Sequence, residues 1–166
     1  MKAPLSWLKE YVPIEMDVEE LASRLALTGT EVERVSEAGV PGDEENLRRF
    51  VVGKVLECRH HPDADKLSVC IVDVGADAPR TIVCGAPNVA AGQTVAVVLP
   101  GGNMPDGTRI RDAKLRGVSS AGMILSEAEL GFAAKSPGTM ELPDEWTAGE
   151  LLIDHFAISD KVLEVE

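Results

Sequence analysis

Five side chains that could bind a metal ion or exchange protons lie within eight residues of the sequence. They are Cys58, His60, His61, Asp63 and Asp65. Thiol, imidazole and carboxylate groups are the protein ligands of zinc and the usual general acids and bases of hydrolases. A metal centre needs ligands that converge, however, and two adjacent histidines in an extended segment point to opposite sides. A zinc site also usually takes a second ligand pair from elsewhere in the chain.

The same residues are equally typical of a turn that leads into a β-strand. Pro62 restricts its own φ, and Asp63 and Asp65 can accept hydrogen bonds from neighbouring backbone amides. Lys66 and Leu67 then begin a run of β-type composition. We therefore expect a structured loop without a bound metal here, and we keep a metal centre as the alternative.

No other segment has the pattern of a known catalytic motif. The sequence contains no G-x-S-x-G, no G-x-x-x-x-G-K and no H-E-x-x-H, the patterns of nucleophilic serine, bound phosphate and catalytic zinc. Cys84, within “IVCGAPN”, could be a nucleophile, but no base partner accompanies it and we expect a small buried thiol. These observations predict a binding module without a catalytic residue.

The charge of the chain is unevenly distributed. Its 166 residues are 45% hydrophobic and carry a formal net charge of −12, which argues against non-specific binding to nucleic acid or to an anionic membrane. Residues 52–126 nevertheless contain eight basic and seven acidic side chains, so this segment carries +1 and the flanks −13. No run has the length of a membrane span or signal peptide. The three cysteines lack C-x-x-C spacing, which favours free thiols in a reducing cytoplasm.

The first 40 residues have a helical pattern, and residues 41–49 have the composition of a polar linker. Val18, Leu21 and Leu25 repeat on one helical face, and Asp17 with Glu20 has the spacing of a capping box. A shorter helix is predicted for “PLSWLKEYV”. The segment “EAGVPGDEENLRR” is rich in Gly, Pro and acidic residues, so we place a boundary there.

From residue 50 the pattern changes to short β-type runs separated by turn residues. The runs are “FVVGKVLEC”, “KLSVCIVDVG”, “RTIVCGA”, “QTVAVVLPG” and “RIRDAKLRGVSSAGMILS”, and five such runs predict a small barrel. Ser126 and Glu129 have the spacing of a second capping box, which predicts a helix start. Val162, Leu163 and Val165 predict a C-terminal strand, and we expect it to have an open edge.

The fifth run contains a concentration of basic side chains: Arg109, Arg111, Lys114 and Arg116. Arg109 and Arg111 would share one face of a strand, where they could follow a phosphate backbone. A solvated basic edge strand is the alternative. Phe50 is the only aromatic residue between positions 50 and 131, so we expect any bound nucleic acid to be held through its backbone and shape, as folded RNA is.

Three motifs resemble, in order and spacing, those of the tRNA-binding OB-fold module. They are “HPDADKL” (61–67), “IVCGAPN” (82–88) and “KLRGVSSAGMILSEAELG” (114–131). This module occurs in endothelial-monocyte-activating polypeptide II-like proteins, at the end of some methionyl-tRNA synthetases and in small stand-alone tRNA-binding proteins. The resemblance implies a loop entering the second barrel strand at “HPDADKL” and backbone turns at Gly117 and Gly122. It also implies RNA contacts at Lys66, Asn88, Lys114, Arg116, Ser119 and Ser120.

The flanking segments resemble the beginning of the bacterial phenylalanyl-tRNA synthetase beta subunit. This resemblance implies a mainly β chain with flanking helices (α+β), in which a five-stranded OB-fold barrel accompanies an incomplete helical flanking domain. The implied limits are residues 1–40 for a helical segment of a discontinuous N-terminal domain, 41–49 for a linker, 50–151 for the tRNA-binding barrel and 152–166 for a truncated return segment. The chain would then be a fragment of a longer subunit.

In that family the whole enzyme joins phenylalanine to its tRNA, using ATP and magnesium, in a heterotetramer of two alpha and two beta subunits. Its catalytic centre is on the alpha subunit. The resemblance therefore implies a cytoplasmic, accessory tRNA-binding module that contacts no membrane and has no catalytic centre, metal or cofactor of its own. A stand-alone tRNA-binding protein or chaperone, a role in subunit assembly, and a small metal-dependent hydrolase are the alternatives.

Overall fold

The computed structural model describes residues 1–166 as ten β-strands, three α-helices and one 3-10 helix. The strands are β1 (Lys2–Pro4), β2 (Val32–Gly39), β3 (Phe50–His61), β4 (Ala64–Asp73), β5 (Arg80–Cys84), β6 (Thr94–Val98), β7 (Ala113–Leu115), β8 (Val118–Ser120), β9 (Met123–Ile124) and β10 (Ser159–Val165). The helices are α1 (Leu5–Tyr11), α2 (Val18–Leu27), α3 (Glu44–Leu47) and the 3-10 helix Leu152–Asp154. None of them is long and apolar enough to cross a membrane.

Five antiparallel strands form a barrel, with the order β5-β4-β3-β6-β9. The long strand β3 has a bulge between Val55 and Glu57, which bends it and increases its twist. The edge strands β5 and β9 approach each other, and beside them the Ala121 N–H donates to the Thr81 carbonyl oxygen at 2.9 Å. The predicted fold class is confirmed: the chain is mainly β, with helices flanking a nearly closed five-stranded OB-fold barrel.

The first half of β3 (residues 50–55) and the whole of β6 are buried on both faces, because alternate side chains of a strand enter different hydrophobic cores. In β3, Val51 and Val55 enter the interior core of the barrel, whereas Phe50 and Val52 enter an outer core. Strand β6 alternates in the same way. The outer core also contains Val40, Met104, Leu125, Leu130, Leu142, Leu152 and Ile158. This second core attaches the segment that follows the barrel to the outside of the barrel.

The two ends of the chain pair in a three-stranded sheet with the order β1-β10-β2. Strand β10 is central, so the expected open edge of the C-terminal strand is wrong: β1 and β2 occupy its two edges. Leu163 and Val165 of β10 pack with Val18 of α2. The Asp17 side chain caps α2 by accepting the Glu20 N–H at 2.8 Å, which is one of the two bonds of the predicted capping box. The Glu20 carboxylate instead accepts a hydrogen bond from Arg24 at 2.6 Å.

The short helix α3 lies between the terminal sheet and the barrel. Its Asn46 is 3% exposed. The Asn46 side chain donates to the Pro41 carbonyl oxygen at 2.8 Å and accepts the Asn103 N–H at 2.7 Å. These bonds join the segment between β2 and β3 to the loop that follows β6.

Two local predictions in the last third of the chain are wrong. The fifth β-type run is not one strand, since it contains the β7–β8 hairpin followed by β9, with Arg109 in an isolated bridge and Arg111 outside the strands. Arg109 and Arg111 therefore do not share the face of a strand. The second capping box forms, with the Ser126 N–H donating to the Glu129 carboxylate at 2.7 Å, but it closes a turn and no helix follows because the chain leaves at Gly131 with φ +84°.

We expect Leu163→Ala to lower the free energy of unfolding by about 2–4 kcal/mol. Leu163 is fully buried at the centre of the terminal sheet, so the change leaves a cavity. Leu27→Ala is the matched control, because Leu27 is 88% exposed and its loss should change stability by less than about 0.5 kcal/mol. Urea denaturation followed by circular dichroism measures both. Equal effects would contradict the packing of β10 against α2.

Candidate nucleic-acid interface

The Cys58–Asp65 cluster is the hairpin turn between β3 and β4. Pro62 and Asp63 connect the strands, and the adjacent imidazoles diverge, since His60 is exposed and His61 is 5% exposed. No three His, Cys, Asp or Glu side chains of the chain are placed so that they could hold a metal ion together. The interpretation of this segment as a turn leading into a strand is confirmed.

The three thiols are free and belong to the interior of the barrel. Cys58 and Cys70 face each other across β3 and β4, with their Sγ atoms 3.8 Å apart. Burial raises the pKa of Cys70 to about 12, and the neighbouring Cys58 contributes to the increase. Burial also raises the pKa of Cys84. Because the thiolate is the nucleophilic form, these environments are typical of packing thiols, as expected for Cys84.

The basic run folds into a hairpin that presents its cations to solvent. Strands β7 and β8 pair with Lys114 opposite Ser119, and both side chains are exposed. Between the strands, Arg116 has φ +52° and Gly117 has φ +87°, as in a type I′ turn. Arg116 is the only residue other than glycine with a positive φ. A strained backbone position in this turn therefore carries an exposed guanidinium group.

The hairpin is joined to the barrel at its base and near its tip. At the base, the buried Ser120 Oγ accepts the Val83 N–H at 3.0 Å. Near the tip, His61 Nε2 lies 2.8 Å from the Leu115 carbonyl oxygen. Ser120 was predicted as an RNA contact, but its side chain points to the barrel and joins the base of the hairpin to β5. In the sequence, His61 was considered as a metal ligand and as the first residue of the “HPDADKL” motif, and neither pattern connects it with a residue 54 positions away.

The remaining predicted contact residues have different environments. Lys66, Arg109 and Arg111 are exposed. The Asn88 side chain is engaged on both sides, since its Oδ1 accepts the Thr139 N–H at 2.8 Å and its Nδ2 donates to the Thr139 carbonyl oxygen at 3.1 Å. Asn88 therefore fastens the loop after β9 to the barrel, whereas the three cations are available to a ligand.

The cations of the barrel segment are not neutralised within the chain. The four ion pairs of lysine or arginine all use cations outside residues 52–126, namely Lys2, Arg24, Arg48 and Lys161. None of the eight basic residues within 52–126 pairs with a carboxylate. Beside Lys114 runs a groove of about 390 Å³ lined by Asp112–Lys114 and Ser119–Ala121. An anionic ligand at the hairpin would thus displace no intramolecular carboxylate from these cations.

A second cleft, of about 340 Å³, opens where β5 and β9 leave the barrel incompletely closed. Its walls include Cys84–Pro87 and Ser126. Glu129 also lines it, and one oxygen of this carboxylate accepts the Ser126 N–H at 2.7 Å and the Ser126 hydroxyl at 2.9 Å. A carboxylate repels phosphate, and no lysine or arginine lines this cleft to offset Glu129. The hairpin groove also contains a carboxylate, Asp112, but Lys114 lines it as well, so the hairpin is the better site for a nucleic-acid backbone.

The sequence pattern of the family described as “Putative tRNA binding domain” matches residues 50–151. The chain belongs to this family. Among curated relatives, the phenylalanine–tRNA ligase beta subunits of Oleidesulfovibrio alaskensis, Coxiella burnetii and Nitratidesulfovibrio vulgaris are 48%, 45% and 47% identical to it. The matches cover 99%, 100% and 99% of this chain and 20% of each relative. This protein chain thus spans about a fifth of the length of the curated relatives it matches.

We expect Ser120→Ala to lower the free energy of unfolding by about 1–3 kcal/mol, because the buried Val83 N–H loses its acceptor. Ser119→Ala is the matched control on the same strand. Its hydroxyl is exposed, so the effect should stay within about 0.5 kcal/mol. Chemical denaturation of the two variants tests the assignment, and a larger loss from Ser119→Ala would contradict it.

At pH 8 we expect Cys70 to be alkylated roughly a thousandfold more slowly in the folded chain than in urea, because its thiolate is correspondingly depleted. Its pKa rises from 9.0 to about 12 on folding. The stability contributed by the protonated thiol is therefore complete below pH 9.0 and is lost as the pH rises towards 12. Pulsed alkylation with peptide mass spectrometry gives the rates. Similar rates in the two states would refute the buried environment.

Proposed function

We propose that this chain is an accessory tRNA-binding module that holds folded RNA through its phosphate backbone, centred on the β7–β8 hairpin. The observation that carries the proposal is the set of exposed, unpaired cations at this hairpin, which include Lys114 and Arg116. Phosphate contacts supply most of the affinity of proteins for nucleic acid. The hairpin offers such contacts in a member of a tRNA-binding-domain family.

Shape and backbone contacts fit this surface better than base stacking. Phe50, the only aromatic residue between positions 50 and 131, is fully buried, whereas barrels that bind single strands use exposed rings. Folded RNA is recognised largely by its shape and by contacts to phosphate and ribose. We assign phosphate contacts to Lys66, Arg109, Arg111, Lys114 and Arg116, a hydrogen bond to Ser119, and support of the surface to Asn88 and Ser120.

The relatives indicate the enzyme in which the module would work. Subunits named phenylalanine–tRNA ligase beta match this chain over nearly its whole length, so we infer that residues 1–166 correspond to the N-terminal part of such a subunit. The complete enzyme would join phenylalanine to tRNA with ATP and magnesium in the cytoplasm, as a heterotetramer of two alpha and two beta subunits. The buried thiols and the missing catalytic motifs favour a non-catalytic role for this part.

We also propose limits for the segments of this region. Residues 1–40 and 152–166 would form one discontinuous N-terminal domain, with 41–49 as the linker and 50–151 as the tRNA-binding barrel. The position of β10 between β1 and β2 supports the joining of the two terminal segments. The extent of the family match supports the limits of the barrel.

The chain should bind tRNA weakly and with a marked dependence on salt. Neutralising about three to four phosphates gives a slope of log K against log salt concentration of roughly −2 to −4. A variant that combines Arg109→Ala, Arg111→Ala, Lys114→Ala and Arg116→Asn should lose most of this binding. Asn is chosen at position 116 because it tolerates a positive φ, so the turn is kept. Fluorescence anisotropy with labelled tRNA at several salt concentrations measures affinity and slope.

A charge-matched control removes four cations from the terminal segments: Lys2, Lys9, Arg24 and Arg34, each changed to Ala. Both variants become more acidic by the same amount, so a loss that they share reports on overall charge. The proposal requires a loss that is specific to the hairpin variant. Wild-type affinity in the hairpin variant, with its fold intact by circular dichroism, would refute it.

A further inference from the structure

The tip of the basic hairpin is held to the rest of the chain by one hydrogen bond. Strands β7 and β8 form their own two-stranded sheet, separate from the barrel sheet. At the base, Ser120 and Ala121 bond to β5. Residues 113–118 make no hydrogen bond outside the hairpin except at Leu115, whose carbonyl oxygen lies 2.8 Å from His61 Nε2. The direction of the tip therefore depends on His61.

The turn between β3 and β4 fixes the tautomer of His61. The Asp63 N–H donates to His61 Nδ1 at 3.0 Å, so Nδ1 carries the lone pair and Nε2 carries the proton. Nε2–H then donates to the Leu115 carbonyl oxygen. The ring is 5% exposed, and a buried polar ring is stable only when its hydrogen bonds are made. One ring nitrogen thus bonds within the β3–β4 turn and the other bonds to the β7–β8 hairpin, so the ring joins the two hairpins.

We propose that His61 is a positioning residue of the RNA-binding surface, an inference that rests on the proposed function. Lys114 and Arg116 are the chain neighbours of Leu115, so a fixed Leu115 carbonyl fixes both relative to the β3–β4 hairpin, which carries Lys66. Folded RNA presents its phosphates in a fixed arrangement. Cations on two hairpins engage it together only when the hairpins keep a constant spacing, and a loose tip loses more conformational entropy on binding.

The buried ring acts on RNA only through the hairpin, and a double-mutant cycle isolates that effect. His61→Ala is measured in the wild-type chain and in a chain that already carries Lys114→Ala and Arg116→Asn. We expect the change to weaken tRNA binding about five- to tenfold in the wild-type chain, as for one lost hydrogen bond. In the chain with the neutralised hairpin it should change affinity by less than about twofold, since the positioned cations are gone.

Two conservative variants distinguish positioning from general destabilisation. The Gln side chain of His61→Gln is long enough to donate to the Leu115 carbonyl and should restore most of the affinity, whereas the shorter His61→Asn should not. Both keep a polar side chain at the buried position, so the comparison also holds if His61→Ala does not fold. Long-range proton–nitrogen NMR of the wild-type ring should show the Nε2–H tautomer.

The outcomes separate this inference from the proposed function. Unchanged affinity after neutralising Lys114 and Arg116 would overturn the proposed function and the role of His61 with it. If that neutralisation weakens binding, three results would overturn the role of His61 alone. These are wild-type affinity in His61→Ala, an equal loss in both backgrounds of the cycle, and equal affinities of His61→Gln and His61→Asn. An Nδ1–H tautomer would also overturn it.

Discussion

The structure depends on two stretches of strand, residues 50–55 of β3 and the whole of β6, whose apolar side chains lie on both faces of the sheet. Each stretch sends alternate side chains into the interior of the barrel and into the outer core, so neither can be solvated on either side without exposing valine side chains. The outer core is completed by Val40 before the barrel and by residues 125–158 after it. The last residue of the outer core, Ile158, directly precedes β10. Packing of the outer core therefore places the start of β10 beside Val40 at the end of β2, and β10 then pairs with both β2 and β1.

The charge distribution is compatible with the proposed RNA-binding surface on an acidic chain. Exposed charges interact over about 8 Å at physiological ionic strength, so a phosphate at the hairpin tip responds mainly to the cations beside it. The acidic flanks satisfy their own cations in ion pairs, whereas Lys114 and Arg116 have no carboxylate partner. Arg116 also occupies a backbone conformation that costs roughly 1 kcal/mol for a residue with a side chain. The strained backbone position in the β7–β8 turn thus coincides with an exposed guanidinium group that has no carboxylate partner.

Local patterns in the sequence predict the elements whose partners are local. The β-type run “FVVGKVLEC” predicts β3, Asp17 with the spacing to Glu20 predicts the cap of α2, and Pro62 with Asp63 predicts the turn. Strands β1 and β2 were not predicted, because what makes them strands is β10, at the other end of the chain. The hairpin was taken for one strand because a type I′ turn usually has Asn or Gly at its first central position, where this chain has Arg116.

The same limit applies to the candidate site, because a sequence motif identifies a residue but does not show which way its side chain points. Ser120 and Asn88 match the family motifs, yet their side chains bond to Val83 and Thr139 within the chain. The bond from Ser120 connects the second motif with the third, and the bond from His61 to Leu115 connects the first with the third. Residues of all three motifs therefore form the hydrogen bonds that hold the β7–β8 hairpin to the barrel. The proposed function accordingly assigns the contacts with RNA to the exposed cations, and the proposed role of His61 is to fix their spacing.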